Sequence, residues 1–209
     1  MKLINPGNEI ELIGGITTSR KELIDLIKAW AAISLAFAII LGGSLFSFDF
    51  ITFFMISSLS VGLGFVAHEM SHKILAQKYG CHAEFRAWDK MLILAVIMAF
   101  VGFVIAAPGA VMISGPVGKR RNGRISAAGA IANLAVAAVF LSLVLLVPLT
   151  GILASIAKYG FIINTWLALF NMLPVWMFDG KKVLDWSKPV YFTIVGISVI
   201  FLAISGVVF

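Results

Sequence analysis

Long apolar runs separated by short polar breaks set the pattern of this chain. Runs at 29–48, 51–75, 91–114, 125–149, 159–178 and 189–209 each come close to or exceed the ~20 residues that a helix needs to cross a bilayer. Residues 1–28 are the one sizeable polar segment. Within them Asn5-Pro6-Gly7-Asn8 reads as a turn, Glu9-Ile10-Glu11-Leu12-Ile13 alternates like a short strand, and Ser19-Arg20-Lys21-Glu22 has the form of a capping box. An amphipathic interfacial helix should follow, with Leu23, Ile24, Ile27 and Trp30 leading into the first span. The pattern divides the chain into a polar N-terminal segment, 1–28, and one transmembrane domain, 29–209, with its core at about 51–185. No short apolar stretch ending in a small-residue cleavage site precedes the first run, so a cleaved signal peptide is not expected.

Composition turns this pattern into a class. Of 209 residues, 61% are apolar and 12% charged, with a mean hydropathy of +1.04. A soluble domain carries ~25% charged residues, so the expected fold is an all-α, polytopic membrane helical bundle with five to six transmembrane segments. Disordered chains, disulfide-rich secreted folds and ordinary cytosolic enzymes are excluded. The single cysteine, Cys81, cannot form an internal disulfide. The net charge of +6 does not point to nucleic acid, because the basic residues sit in short clusters between apolar runs, where topology would put them.

Those clusters constrain the topology. Fifteen of the 16 Lys and Arg residues fall in four groups. They are Lys2, Arg20, Lys21 and Lys28; Lys73, Lys78, Arg86 and Lys90; Lys119, Arg120, Arg121 and Arg124; and Lys181, Lys182 and Lys188. Six simple crossings would put the second and third groups on opposite faces, against the positive-inside bias. The conflict disappears if 91–115 is a re-entrant or extended membrane element. A helix from Met91 to Ala106 would be broken by Pro108-Gly109, and Ala110–Ser114 would return in extended form.

His68-Glu69-Met70-Ser71-His72 is an H-E-x-x-H motif near the end of the second run. On a helix, positions i and i+4 share a face, so both imidazoles can reach one metal while Glu69 lies beside it. Ionisable residues inside a membrane segment are costly and mark function. A catalytic zinc site needs a third protein ligand. Leu75 and Lys78 occupy the places where a metzincin would carry its next residues, and Glu84 is the last glutamate of the chain. The candidates are therefore Glu84, Asp89, His82, Asp179 and Asp185. Asp179 stands out because it ends the apolar run from Trp166 to Phe178 and precedes Gly180; Asp185 reads as an interfacial charge. The re-entrant topology brings Asp179 to the same face as the histidines, whereas six simple crossings would separate them.

Together with Asn171-Met172-Leu173-Pro174-Val175-Trp176-Met177-Phe178-Asp179-Gly180, the H-E-x-x-H sequence resembles the two signatures of the site-2 proteases, which are intramembrane zinc metalloproteases. Asn171, Pro174, Asp179 and Gly180 match the second motif, N-x-x-P-x-x-x-x-D-G, at the family spacing. Ala128-Gly129-Ala130-Ile131-Ala132-Asn133 is similar to the family's A-G-P-x-x-N, with Ala130 where proline is usual. Trp176 and Met177 replace usual prolines. The resemblance implies that His68, His72 and Asp179 hold one zinc ion and that Glu69 is the catalytic base. It further makes Asn171 a candidate to hold the substrate backbone or the oxyanion, the alternative being a polar helix–helix contact, and leaves Asn133 balanced between packing and substrate contact.

The expected activity is hydrolysis of peptide bonds in or near transmembrane segments of membrane-protein substrates. A bound zinc ion would lower the pKa of water toward ~7 and polarise the scissile carbonyl. Ala110–Ser114 could offer a strand edge to an unwound substrate peptide. The expected partners are a transmembrane protein substrate and the lipid bilayer. The location is a multi-pass position, in the cell membrane, with the site nearer the cytoplasmic face. A catalytically silent binding relative would have no use for Glu69. A metal transporter would spread ion positions along a path.

Overall fold

Lipid cannot satisfy backbone polar groups, so apolar runs must find their hydrogen bonds within the protein, and all but the run at 91–114 do so as helices. The computed structural model describes residues 9–12, 15–42, 49–104, 108–175 and 178–209. Among these, five helices are long and apolar enough to cross a membrane: Arg20–Gly42, Phe50–Lys78, Lys119–Leu146, Gly151–Asn171 and Lys188–Val208. The first is α1. The second consists of α2 (Phe50–Ser57), a π-helical turn (Ser58–Gly62) and α3 (Leu63–Lys78) in one rod. The Asn5–Asn8 turn expected from the sequence lies outside the described residues. Glu9–Leu12 (β1) pairs antiparallel with Ile16–Ser19 (β2).

The start of α1 keeps the expected period, with its apolar positions on the outside of the bundle and its carboxylates on the inside. Ser19 Oγ accepts the N–H of Glu22 at 3.1 Å, one half of the capping box. The Glu22 carboxylate turns inward instead of completing the other half. Leu23, Ile24 and Ile27 are exposed while Glu22, Asp25 and Ala29 are buried. In lipid, apolar residues face outward at no cost and polar ones must find partners within the bundle. Glu22 accepts from Thr18 Oγ1 at 2.7 Å and from the Phe85 N–H at 2.9 Å, and it pairs with the ammonium of Lys73. Lys73 is only 2% exposed.

His82–Ala87 forms a strand, β3, that the sequence pattern did not suggest. It pairs antiparallel with β4 (Gly109–Ser114), Phe85 lying opposite Val111. Between them α4 covers Asp89–Ala99, 11 residues or about 16 Å, too short to cross. The expected helix over 91–106 therefore starts two residues earlier and stops at Ala99, ahead of Gly102 at φ +91°. Residues 105–107 lie outside the described chain. Asp89 contacts Lys28 (2.6 Å), Ala99 packs with Ala36 and Ile39, and the Trp88 N–H reaches Pro108 O at 3.0 Å. The segment thus descends along α1 and comes back to its starting level, as a re-entrant element does. Ala110–Ser114 is not the returning limb. It lies at the mouth of the dip, paired with β3.

After β4 follow α5 (Lys119–Leu146), α6 (Gly151–Asn171), α7 (Asp179–Trp186) and α8 (Lys188–Val208). Small residues let α5 approach its neighbours closely; a Cβ on Gly160 of α6 would come within 2.5 Å of the Phe140 ring. Among the described residues, the basic groups gather at one end of this bundle. Arg121 lies over the Tyr79 ring at 5.6 Å, Arg124 over Trp186 at 5.9 Å, and Gln77 bonds the Thr17 backbone.

The buried Lys73–Glu22 pair generates a stability prediction. Glu22→Leu or Lys73→Met alone leaves an unpaired buried charge and should cost ~3–5 kcal/mol, whereas the double variant should recover part of that loss, short of wild type by the ~1–3 kcal/mol of the Phe85 N–H left without its acceptor. Thermal unfolding in detergent reads both outcomes.

Candidate metal centre

The α3 helix puts His68 and His72 on one face, and the bundle turns that face inward. Both are buried, at 6% and 8% exposure. Their Nε2 atoms lie 3.0 Å apart, and Asp179 Oδ2 stands 3.4 Å from His68 Nε2 and 3.0 Å from His72 Nε2. Asp179 comes from the first residue of α7, more than a hundred positions along the chain. Its approach depends on the next residue: a Cβ on Gly180 would fall 2.2 Å from Met172 O. The Asp-Gly pair is thus a ligand followed by the one residue small enough to tuck α7 against the end of α6.

Hydrogen bonds on the far side of each ligand determine what it presents. His72 Nδ1 donates to the Ile125 carbonyl at 2.8 Å. A carbonyl only accepts, so the proton sits on Nδ1 and the Nε2 lone pair faces inward. His68 Nδ1 reaches Asn133 Oδ1 at 2.6 Å with the same consequence. Lys182 Nζ stands 3.3 Å from Asp179 Oδ1, on the opposite side of the carboxylate from the imidazoles. Two lone pairs and a carboxylate oxygen converge on one point, an arrangement that a cation satisfies. A tetrahedral zinc with bonds of ~2.0–2.2 Å sets its ligand atoms roughly 3.3 Å apart, which matches the 3.0–3.4 Å found here. The residues fit a zinc ion, and the outer bonds supply the orientation that metal-bound histidines require.

Glu69, 9% exposed, lies close enough to interact with the charges of His68 and Asp179 and with the backbone N–H of Val111 on β4. The other ligand candidates are elsewhere. Glu84 pairs with Arg86 and Ser19, and Asp89 with Lys28. Lys181 pairs with Asp185 and holds its carboxyl below the usual carboxylate range, as suits an interfacial charge. His82 faces Ser114 across the β3–β4 pair. Among the described residues, the group able to hold a metal is His68, His72 and Asp179.

Of the two asparagines implied by the resemblance, Asn171 ends α6 half-buried, its Nδ2 donating to Leu167 O at 2.9 Å. Asn133 is fully buried behind His68, with its polar atoms on His68, Gly64 O and Asn164. Its place is behind a ligand rather than in front of a substrate. Sequence reasoning overlooked Gly129. A Cβ there would lie 2.5 Å from His72 Cε1 and 2.6 Å from His68 Cε1. The signal was its position within the Ala-Gly-Ala-Ile-Ala-Asn stretch, on a helix facing the histidines.

The chain is similar to a protein of Methanocaldococcus jannaschii named "Putative zinc metalloprotease", with 44% identity over 184 residues that cover 87% of this chain and 92% of the relative. No family model matches the chain. No solved structure matches it either.

Two substitutions test the centre by zinc content and by competition with a chromophoric chelator. Asp179→Ala should abolish stoichiometric zinc. Gly129→Ala, which pushes both rings, should weaken zinc by roughly 10–100-fold, the range for lost orientation around a metal.

Proposed function

The chain belongs to the same metalloprotease family as the M. jannaschii relative, and on that premise we propose that it is an intramembrane zinc endopeptidase of the site-2 type. The observation that carries the reading is the convergence of His68, His72 and Asp179, with Glu69 beside them, inside a bundle of apolar helices. Zinc held there supplies Lewis acidity for the scissile carbonyl and lowers the pKa of water toward ~7. Glu69 takes the proton from the attacking water and later passes it to the leaving nitrogen. Asn171 keeps a second amide hydrogen for the developing oxyanion, an interaction of ~2.7–4 kcal/mol where such donors act. The substrate is a transmembrane protein. The basic end of the bundle, next to the centre, faces the cytoplasm under the positive-inside bias.

A helical substrate hides its own amide hydrogen bonds and must unwind to be cut. The β3–β4 pair supports a place for the unwound peptide. On the outer edge of β3, the Ala83 carbonyl accepts from Gln77 Nε2 at 2.9 Å and the Phe85 N–H goes to Glu22. The Ala87 N–H points to Asp25 Oδ2 at 3.4 Å. In an antiparallel pair, residues opposite such outward-facing positions face outward too. Ile113 and Val111 therefore turn their N–H and C=O groups away from β3. The β3 edge is closed by side chains of α1 and α3; the β4 edge meets Glu69 at Val111. A peptide added along β4 by main-chain pairing runs past the base.

The decisive experiment compares wild type with Glu69→Gln on a model transmembrane substrate in liposomes, with bound zinc measured in both. Cleavage should fall by ~10²–10⁴-fold, as for loss of a general base, with zinc retained. Cleavage at the wild-type rate would overturn the reading. Val111→Pro, which removes one outward N–H, should reduce cleavage without loss of zinc; unchanged cleavage would remove β4 as the substrate edge.

A further inference from the structure

Asn164 belongs to no motif visible in the sequence, yet it is fully buried in α6 between the π-helical turn and the metal centre. Its Nδ2 donates to Ser60 O at 3.1 Å and to Gly160 O at 2.8 Å. Backbone carbonyls only accept, so these two bonds determine which end of the amide faces which way. Asn164 Oδ1 is left to accept from Asn133 Nδ2 at 3.0 Å. Asn133 Nδ2 gives its other hydrogen to Gly64 O at 3.1 Å. With both hydrogens engaged, Asn133 turns its oxygen toward His68 Nδ1, 2.6 Å away.

Three backbone carbonyls, on Ser60, Gly160 and Gly64, thus set the direction of every bond in the series. An amide oxygen cannot donate, so His68 carries its proton on Nδ1 and keeps the Nε2 lone pair for the metal. Ser60 lies in the π-helical turn, where its carbonyl serves the Leu63 N–H as well as Asn164. Packing locks the arrangement: a Cβ on Gly64 would sit 1.8 Å from Asn164 Oδ1. The series is also neutral. A carboxylate in the place of Asn133 would bring a further buried negative charge to a centre that already contains the carboxyl groups of Asp179 and Glu69.

We infer that Asn164 and Asn133 form a polar relay that holds His68 in its Nδ1-protonated tautomer and thereby sets the zinc affinity of the centre. The inference rests on the metal-centre reading above. Both residues are positioning residues: Asn133 acts on the ligand, and Asn164 acts through Asn133. Because Gly64 O also orients Asn133, loss of Asn164 weakens the relay without breaking it.

Zinc dissociation constants of the full chain in detergent, taken by chelator competition, test the relay. Asn133→Leu should weaken zinc by roughly 10–100-fold, and Asn164→Leu by several-fold. In the double variant the loss should equal that of Asn133→Leu alone, since Asn164 has nothing left to act on. The chain has three histidines, so ¹⁵N-histidine NMR of the metal-free protein can follow the His68 tautomer. It should be Nδ1-protonated in wild type and mixed in the Asn133 variants. Thr165→Val removes the neighbouring buried hydroxyl, which bonds Phe161 O outside the relay, and should leave zinc affinity and tautomer unchanged. Asn133→Ala replaces Asn133→Leu if the latter does not fold. Wild-type zinc affinity in Asn133→Leu, or losses that multiply in the double variant, would overturn the relay. His68→Ala tests the premise separately: if it binds zinc like wild type, the metal-centre reading fails on its own account.

Discussion

Inside this bundle a polar atom has no water to turn to, and the rest of the structure depends on that constraint. An unpaired polar group in an apolar medium costs several kcal/mol, and each of the three proposed ligands has a partner on its outer side. The carbonyl of Ile125 orients His72, Asn133 orients His68, and Lys182 stands behind Asp179. Each of these bonds takes up the outer side of a ligand, which leaves the inner sides as acceptors only. The same requirement that keeps the bundle folded therefore assembles a cation site, because three acceptors in one place are tolerable only around positive charge.

The requirement extends to the hairpin that lies beside the centre. Glu22 and Asp25 of α1 and Gln77 of α3 are each bonded to, or aimed at, main-chain groups of β3. Lys73, one residue beyond His72, meets Glu22. The metal-bearing helix, the first helix and the sheet share one buried polar network, so none shifts against the others without stranding a charge. An apolar contact would have held them together as well. It would not have fixed the height of β4 relative to Glu69, since apolar surfaces slide while hydrogen bonds have a register.

What was legible in the sequence was what is local. His68 and His72 share a face because they lie four residues apart, and a single helix guarantees it. Asp179 could be singled out because so few ionisable residues lie in the apolar runs, and because the basic groups had to gather on one side. The rest depends on partners distant in the chain. The strand at 82–87 alternates too weakly to be seen, and it exists because residues 109–114 and the side chains of α1 satisfy its two edges. The apolar positions of α1 were legible as one face of a helix, but the burial of Glu22 and Asp25 opposite them was not, because their partners Lys73, Phe85 and Ala87 lie far along the chain. Gly129 and Asn164 have no local signature; only the approach of α5 and α6 to α3 gives them a role.

The register along α1 gives the level at which the centre works. Arg20 and Lys28 bracket the charged end of this helix, and its apolar stretch begins at Ala29. Between them, Glu22 meets Phe85 and Asp25 meets Ala87, while Phe85 pairs with Val111, whose N–H faces Glu69. Glu69 thus lies level with the charged turns of α1, on the side where Lys28 and Asp89 form an exposed pair. The dip of α4 goes further, to the level of Ala36 and Ile39. The proposed hydrolysis consumes water, and a centre at this level would draw it from the basic border and not through the thickness of a bilayer. On the proposed reading, a substrate helix would bring its scissile bond to that border, where fewer apolar contacts oppose unwinding and where the β4 edge would replace the hydrogen bonds that the helix gives up.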